Sequence, residues 1–259
     1  MTELTTLPQD FTGKTALITG GSRGIGLQIA SELAARGAHV VITGRKKEGL
    51  DSAVAMLGGP DNALGLQGAA DDEVHQRDAI ERTVNTFGSL DVLVNNAGIN
   101  PYFGPFLDAD LNVFRKTIEV NLIASFAWVQ AAYRAWMQDH GGSILNVASV
   151  AAFRTGTPLN LYGVSKAGLV YMTQRLAVEL GPGIRVNGIA PAVVKTRFAR
   201  AMYESDEAAA AARYPMQRLG LPEDIAKLSA FLLGPDASWI TGVIVPIDGG
   251  ALAASGGGG

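Results

Sequence analysis

The chain has 259 residues, 47% of them hydrophobic and 17% charged, with a net charge of −3. That balance describes a globular protein with a sizeable core and excludes disorder; with no basic run, it also argues against nucleic acid or an anionic membrane as partner. There is no cysteine, which removes disulfides, thiolate metal sites and a cysteine nucleophile.

The N-terminal stretch MTELTTLPQD carries acids and no apolar region, so it does not read as a signal peptide. No run of about 18 apolar residues suggests a membrane span. A cytoplasmic location is the expectation. The ends, 1–9 and 253–259, are expected to be flexible, the latter because it closes on Ser255 and four glycines.

Apolar strand-like runs alternate with helical patterns along the chain. Thr15–Ile18 predicts a strand that ends in a glycine-rich turn, and Gly24–Ala35 a helix with Ile25, Ile29 and Leu33 on one face. His39–Thr43, Leu64–Leu66 and Val92–Val94 predict further strands, separated by helices over Leu50–Leu57 and Val74–Phe87. A long helix over Phe114–Met137 precedes a strand at Ser143–Val147; a second long helix, Leu161–Leu180, precedes a strand at Ile184–Ala190. Pro222-Glu223-Asp224 opens a late helix through Ala226–Leu233, and Val243–Val245 is the last strand. Apolar strands alternating with helices imply an α/β fold, a single doubly wound parallel sheet of Rossmann type with helices on both faces. No linker or repeat interrupts it, so residues 1–259 read as one dinucleotide-binding domain.

The turn Thr19-Gly20-Gly21-Ser22-Arg23-Gly24-Ile25-Gly26 stands between the first strand and helix. Glycines there permit a tight turn and a close approach of a pyrophosphate, which the helix N-terminus attracts with free N–H groups. Sites that prefer NAD place an acid after the second strand, on the ribose 2′-hydroxyl. This chain has Gly44-Arg45-Lys46-Lys47 instead, and Arg23 in the turn. Cations without an acid suit a 2′-phosphate, so NADP(H) is the expected cofactor.

Tyr162 and Lys166 are four apart in Leu161-Tyr162-Gly163-Val164-Ser165-Lys166, on one face of a helix. A nearby ammonium is expected to lower the phenol pKa and make the pair a general acid/base. Ser149 follows a strand at the sheet's carboxyl end, where its hydroxyl can meet a substrate oxygen. The three histidines, His39, His75 and His140, are isolated from one another; they read as packing residues, and no metal is expected.

TGGSRGIG at 19–26, NNAG at 95–98, Asn121, Ser149 and YGVSK at 162–166, in that order, resemble the short-chain dehydrogenase/reductases. The resemblance covers the chain from about Asp10 to Gly250. It implies that Tyr162 exchanges a proton with the substrate oxygen, Ser149 holds that oxygen, and Lys166 binds the nicotinamide ribose. It implies that Asn121 holds a water linking Lys166 to solvent. Gly20, Ser22, Arg23, Gly24, Ile25, Gly26, Arg45 and Ala69 would bind the adenosine and phosphate end, with Asn96, Ala97 and Gly98 beside the ribose. Pro191, Val194 and Thr196 would meet the carboxamide.

Two positions depart from the family's pattern. Ala192 stands where glycine is usual, and Gly68-Ala69 where Asp-Val is common beside the adenine.

Residues 196–215 are expected to cover the substrate. Asn100-Pro101, Ala151-Ala152-Phe153 and 194–198 are similar to carbonyl reductases of the dehydrogenase/reductase member 4 branch, while much of the chain resembles bacterial 3-oxoacyl-carrier-protein reductases. Apolar walls lean toward hydrophobic ketones or β-ketoacyl compounds. An NAD-dependent alcohol dehydrogenase and a non-catalytic nucleotide-binding protein are the alternatives. The resemblance also implies a homotetramer built on the two long helices and the segment 240–250.

Overall fold

The computed structural model describes residues 8–155 and 159–255. One seven-stranded parallel sheet runs through them, in the order β3-β2-β1-β4-β5-β6-β7. The strands are β1 (Thr15–Ile18), β2 (His39–Gly44), β3 (Ala63–Gln67), β4 (Val92–Asn95), β5 (Gly142–Val147), β6 (Ile184–Pro191) and β7 (Ile244–Ile247). Thr15 pairs with His39 on one side of β1, and Ala16 with Val92 on the other.

Successive strand residues feed opposite faces. Ala16 and Ile18 pack with Ile29 and Leu33 of α1 (Gly24–Ala35), Ala53 of α2 (Lys47–Met56), and Ile225 and Leu233 of a later helix. Leu17 and Leu93 face the other way, against Ile80 of α3 (Glu73–Phe87) and, further on, Trp128 and Leu176. With both faces covered, the inner strands are largely apolar rather than alternating, and the polar residues they carry, such as Asn95 and Asn146, are buried.

The long helix expected over Phe114–Met137 extends over 111–140. It runs as α4 (Leu111–Ile118), a π-helical turn (Glu119–Ile123), α5 (Ala124–Ala132), a second π turn (Tyr133–Met137) and α6 (Gln138–His140). Asp110 starts it by accepting from the Asn112 N–H at 2.7 Å. The second long helix, α7, spans Asn160–Leu180. α8 (Glu207–Ala211) is short, and α9 (Pro222–Leu233) starts on its proline; Asp224 accepts from the Leu221 N–H at 2.8 Å and pairs with Arg218.

In α2 and α9 the turns added at the start are polar. α2 begins at Lys47 rather than Leu50, its first turn held by a Lys47–Asp51 ion pair, and α9 begins four residues before Ala226. The expected flexible ends fall largely outside the described residues. Of the C-terminal stretch, however, 253–255 belong to α10 (Ala251–Ser255), which Asp248 starts by accepting from Gly250 and Leu252 N–H groups.

Because β2 and β4 flank β1 on opposite sides, the connections leaving β1 and β4 part company and open a crevice at the strands' carboxyl ends. Beneath it runs a buried polar chain: Asn95 Nδ2 donates to Asn146 Oδ1 at 2.9 Å, and Asn146 Nδ2 donates to Thr173 Oγ1 at 2.9 Å. Thr173→Val keeps the shape and removes that acceptor, so unfolding in urea is expected to show a loss of about 1–3 kcal/mol. Thr83→Val, which removes only a hydrogen bond to a carbonyl within its own helix, is expected to cost clearly less. Equal costs for the two would contradict the role given to the chain of amides.

Candidate active site

The crevice is a continuous cleft of about 2350 Å³. At one end the glycine-rich turn meets the start of α1. Gly20 and Gly24 have φ of 64° and 57°, a region costly for other residues. Gly26 has no room for a side chain: a Cβ there would lie 2.4 Å from Asn96 Nδ2 and 2.7 Å from the Gly20 carbonyl oxygen. No side chain caps α1, so its first N–H groups are left for a ligand. That uncapped terminus, walled by glycines that a Cβ would fill, fits the pyrophosphate of a dinucleotide.

Gly20, Ser22, Arg23, Gly24, Ile25 and Gly26 all line this end, as do Arg45, Ala69, Asn96, Ala97 and Gly98. Arg23 and Arg45 are exposed, and neither guanidinium has an ion-pair partner among the described residues. Gly68 explains one departure from the family pattern. A Cβ on it would lie 2.1 Å from the His75 ring, which stands edge-on to Trp128. The imidazole fills the space a side chain at 68 would need. Ala192, the other departure, does not adopt a positive φ; Gln217 is the one non-glycine residue that does so among the described residues.

Ser149, Tyr162 and Lys166 line the same cleft further along, with Pro191, Val194 and Thr196. Ser149 follows β5 and its Oγ accepts from the Ala151 N–H at 3.2 Å. Tyr162 lies in the first turn of α7, its ring 6.1 Å from that of Phe198. The Lys166 ammonium sits 5.7 Å from the Tyr162 ring centre and donates to the Val147 carbonyl at 2.7 Å. Thr196 reaches back to the turn: a Cβ on Gly24 would contact its Cγ2 at 3.4 Å. The Val194 side chain is buried in the core, and its carbonyl accepts from the Thr196 hydroxyl at 3.2 Å.

Asn121 does not open onto the cleft. It lies in the first π turn, fully buried. Its Oδ1 accepts from the Ile99 N–H at 2.8 Å, and its Nδ2 donates to the Ile99 carbonyl and the Ser165 hydroxyl. It stands behind Gly98, where a Cβ would lie 3.3 Å from Asn121 Oδ1 and 3.6 Å from Lys166 Nζ. Ser165 in turn donates to the Tyr162 carbonyl at 2.7 Å.

Chain-by-chain comparison agrees with this geometry. Residues 20–251 match the family described as Enoyl-(Acyl carrier protein) reductase. The rabbit (Oryctolagus cuniculus) Dehydrogenase/reductase SDR family member 4 is 39% identical over 92% of this chain and 93% of its own length. The Caenorhabditis elegans protein of the same name is 37% identical over 94% and 96%.

The chain belongs to the short-chain dehydrogenase/reductase family, an oxidoreductase family.

Solved structures carry the same fold. A short-chain type dehydrogenase/reductase from Mycobacterium ulcerans superposes with a TM-score of 0.89 at 32% identity, over 94% of this chain and 91% of that one. A metagenomic blue fluorescent protein in complex with NADPH gives 0.85 at 36% identity, over 93% and 99%.

In this member of the family the electrostatics of the Tyr162–Lys166 pair differ from the expectation. The phenol is not lowered: burial pushes it up to about 12, with hydrogen bonding to Ser149 opposing the rise. Burial also pulls Lys166 down, to about 8. Each group is pushed toward its neutral form because the cleft wall removes water from both. Three contributors escaped the sequence reading. Thr19 Oγ accepts from the Asn96 and Ala97 N–H groups at 3.0 Å each; the Val147 carbonyl anchors Lys166; and Ser165 links Asn121 to Tyr162. Thr19 and Ser165 stand inside the quoted motifs, but a carbonyl partner such as Val147 has no side-chain signature.

The histidines pack rather than cluster. His39 stacks on Phe87 and His140 on Trp136, and no group of metal-ligating residues occurs among the described residues. No helix among them is long and apolar enough to cross a membrane.

Proposed function

We propose that the protein is an NADP(H)-dependent ketoreductase that interconverts a hydrophobic ketone or β-ketoacyl compound and its secondary alcohol. The observation that carries this reading is the convergence of Ser149, Tyr162 and Lys166 on a cleft whose other end holds an uncapped, glycine-walled helix start. Two unpaired arginines and no acid at the end of β2 favour a 2′-phosphate over a bare ribose. A structural relative titled ElxO with NADP bound, at 33% identity, and the NADPH-bound fluorescent protein support the same choice.

The nicotinamide, when bound, supplies the hydride that reaches the carbonyl carbon. Tyr162 gives its phenolic proton to the carbonyl oxygen, and Ser149 donates a hydrogen bond to that oxygen. Lys166 holds the ribose hydroxyls, and its charge offsets the negative charge left on the Tyr162 oxygen. Asn121, its amide committed to Ile99 and Ser165, fixes the wall beside Lys166. Phe103, Phe198 and Met202 are between 40% and 55% exposed and line the cleft; Phe153, 47% exposed, does not line it.

Apolar side chains also stand exposed on the outer faces of the long helices, among them Phe126 at 41%, Tyr171 at 66% and Val178 at 75%. Trp239, ahead of β7, is 99% exposed. These surfaces support a cytoplasmic homotetramer. Light scattering is expected to give four times the chain mass of 27.0 kDa; a monomer sinks that assignment.

Tyr162→Phe is expected to lower NADPH-linked ketone reduction by about 10²–10⁴-fold and leave NADPH binding nearly intact. Wild type is expected to prefer NADPH to NADH, and Arg45→Asp to erode that preference at least about tenfold. Comparable turnover by the Phe variant, or a wild-type preference for NADH, overturns the respective claim.

The charge on Lys166 is complete below its pKa of about 8 and lost above it. If the charged form holds the ribose, NADPH affinity falls as pH rises through about 8. Fluorescence titration of bound NADPH checks this. Lys166→Met should bind more weakly with that limb gone, and a wild-type affinity unchanged across the range contradicts the role.

A further inference from the structure

Four cations line the part of the cleft beyond Tyr162 that faces the residues after β6: Arg154, Lys195, Arg197 and Arg213. No aspartate or glutamate lines that part. The two acids on the cleft wall, Glu48 and Asp71, stand at the nucleotide end, and Asp71 is already paired with Lys116.

The pairing pattern of the segment after β6 separates two kinds of cation. Those with acidic neighbours are satisfied: Lys195 pairs with Glu207, Arg200 with Glu204, and Arg218 with Asp224. Arg200 and Arg218 do not line the cleft. Arg154, Arg197 and Arg213 do, and none has an ion-pair partner or a side-chain hydrogen bond among the described residues. Glu204 and Glu207 are within reach of the segment, yet both are engaged with other cations. Arg197 follows Thr196, which lies over the glycine-rich turn, so it stands nearest the dinucleotide phosphates. Arg154 stands in the loop after β5, five residues beyond Ser149, and Arg213 follows α8; both line the cleft.

From this we infer that the substrate is an apolar ketone bearing an anionic group, a carboxylate or phosphate, on the arm remote from the reacting carbonyl. Arg154 and Arg213 receive that group, while Phe198 and Met202 cover the apolar part. An unpaired guanidinium fork matches the geometry of either anion. The cofactor's phosphates already have the uncapped α1 terminus with Arg23 and Arg45, whereas Arg154 and Arg213 stand on the loops after β5 and α8. The inference rests on the ketoreductase reading above and narrows its substrate class.

The test compares matched ketones that differ only in the anion. With NADPH saturating, kcat/KM is measured for 6-oxoheptanoate against its methyl ester, and for a keto-alcohol against its phosphate ester. The acid or phosphate is expected to be favoured by at least about tenfold, the worth of one charge-assisted contact. Arg154→Ala and Arg213→Ala should each reduce that preference by lowering kcat/KM for the anion while the neutral partner stays within about twofold. Arg200→Ala, outside the cleft, should change neither. Preference for the carboxylate alone, or the phosphate alone, identifies which anion is held. Equal use of anion and neutral partner, or a preference that survives Arg154→Ala/Arg213→Ala, overturns the inference while leaving Tyr162 chemistry standing.

If no ketone turns over, the ketoreductase reading fails separately, and calorimetry on the enzyme saturated with NADP⁺ still decides the anion site. Heptanoate should then bind more tightly than methyl heptanoate in wild type, and no more tightly in the double variant. Absence of that difference in wild type rejects the site.

Discussion

The end of β4 and the glycine-rich turn compete for one small volume, and the arrangement of the whole cleft follows from how they share it. Asn96 Nδ2 donates to the carbonyl oxygens of Thr19 and Gly20 at 2.8 and 3.2 Å. Thr19 returns the contact by accepting from the main chain of Asn96 and Ala97. This clasp ties the two strands at the point where their connections diverge, and it tolerates only hydrogen at Gly26. Two residues beyond Asn96, Gly98 lets Asn121 and Lys166 come close behind it. The glycine-rich turn and the helix that carries Tyr162 are thereby set in one frame by the clasp's four hydrogen bonds and the close approach behind Gly98.

The same crowding governs the protonation states. A phenol pushed up to about 12 and an ammonium pulled down to about 8 are two consequences of one dry wall. A phenol in that range keeps its proton at neutral pH, the form required for donation to a carbonyl oxygen. Alcohol oxidation requires that proton to be removed, and the Lys166 charge, present below about 8, then offsets the phenolate. The Lys166–Val147 bond keeps the lysine buried against the end of β5 instead of in solvent.

Much of this was legible in the sequence. Each apolar run from Thr15 to Val245 marks a strand because two covered faces leave few polar positions, and those, such as Asn95 and Asn146, pair with one another. The glycine turn and the Tyr162–Lys166 spacing mark their places because few other residue types fit there. What escaped was set by tertiary neighbours. The first turn of α2 is polar and exposed, so periodicity starts at Leu50, one turn late. The π turn that carries Asn121 leaves no trace in the apolar pattern around it. Gly68 reads as a loss beside the adenine until His75, seven residues on, is found lying against it. The direction of the Tyr162 shift depends on burial that spacing alone does not express.

The segment after β6 obeys a different physics from the sheet it covers. Its contacts are short in range: the Lys195–Glu207 pair, the Tyr203 hydroxyl donating to the Thr196 carbonyl at 3.3 Å, and Asp206 starting α8. From 195 to 218 its buried side chains are Ala199 and Ala210, whereas Phe198 and Met202 stay half-exposed. A segment that buries so little apolar surface opens at a small free-energy cost. The strand ends stand in fixed geometry, whereas this segment, which the ketoreductase reading sets over the substrate, is held by a few polar bonds. Selectivity can then change with the side chains of this segment while the clasp and the Tyr162 helix stay as they are.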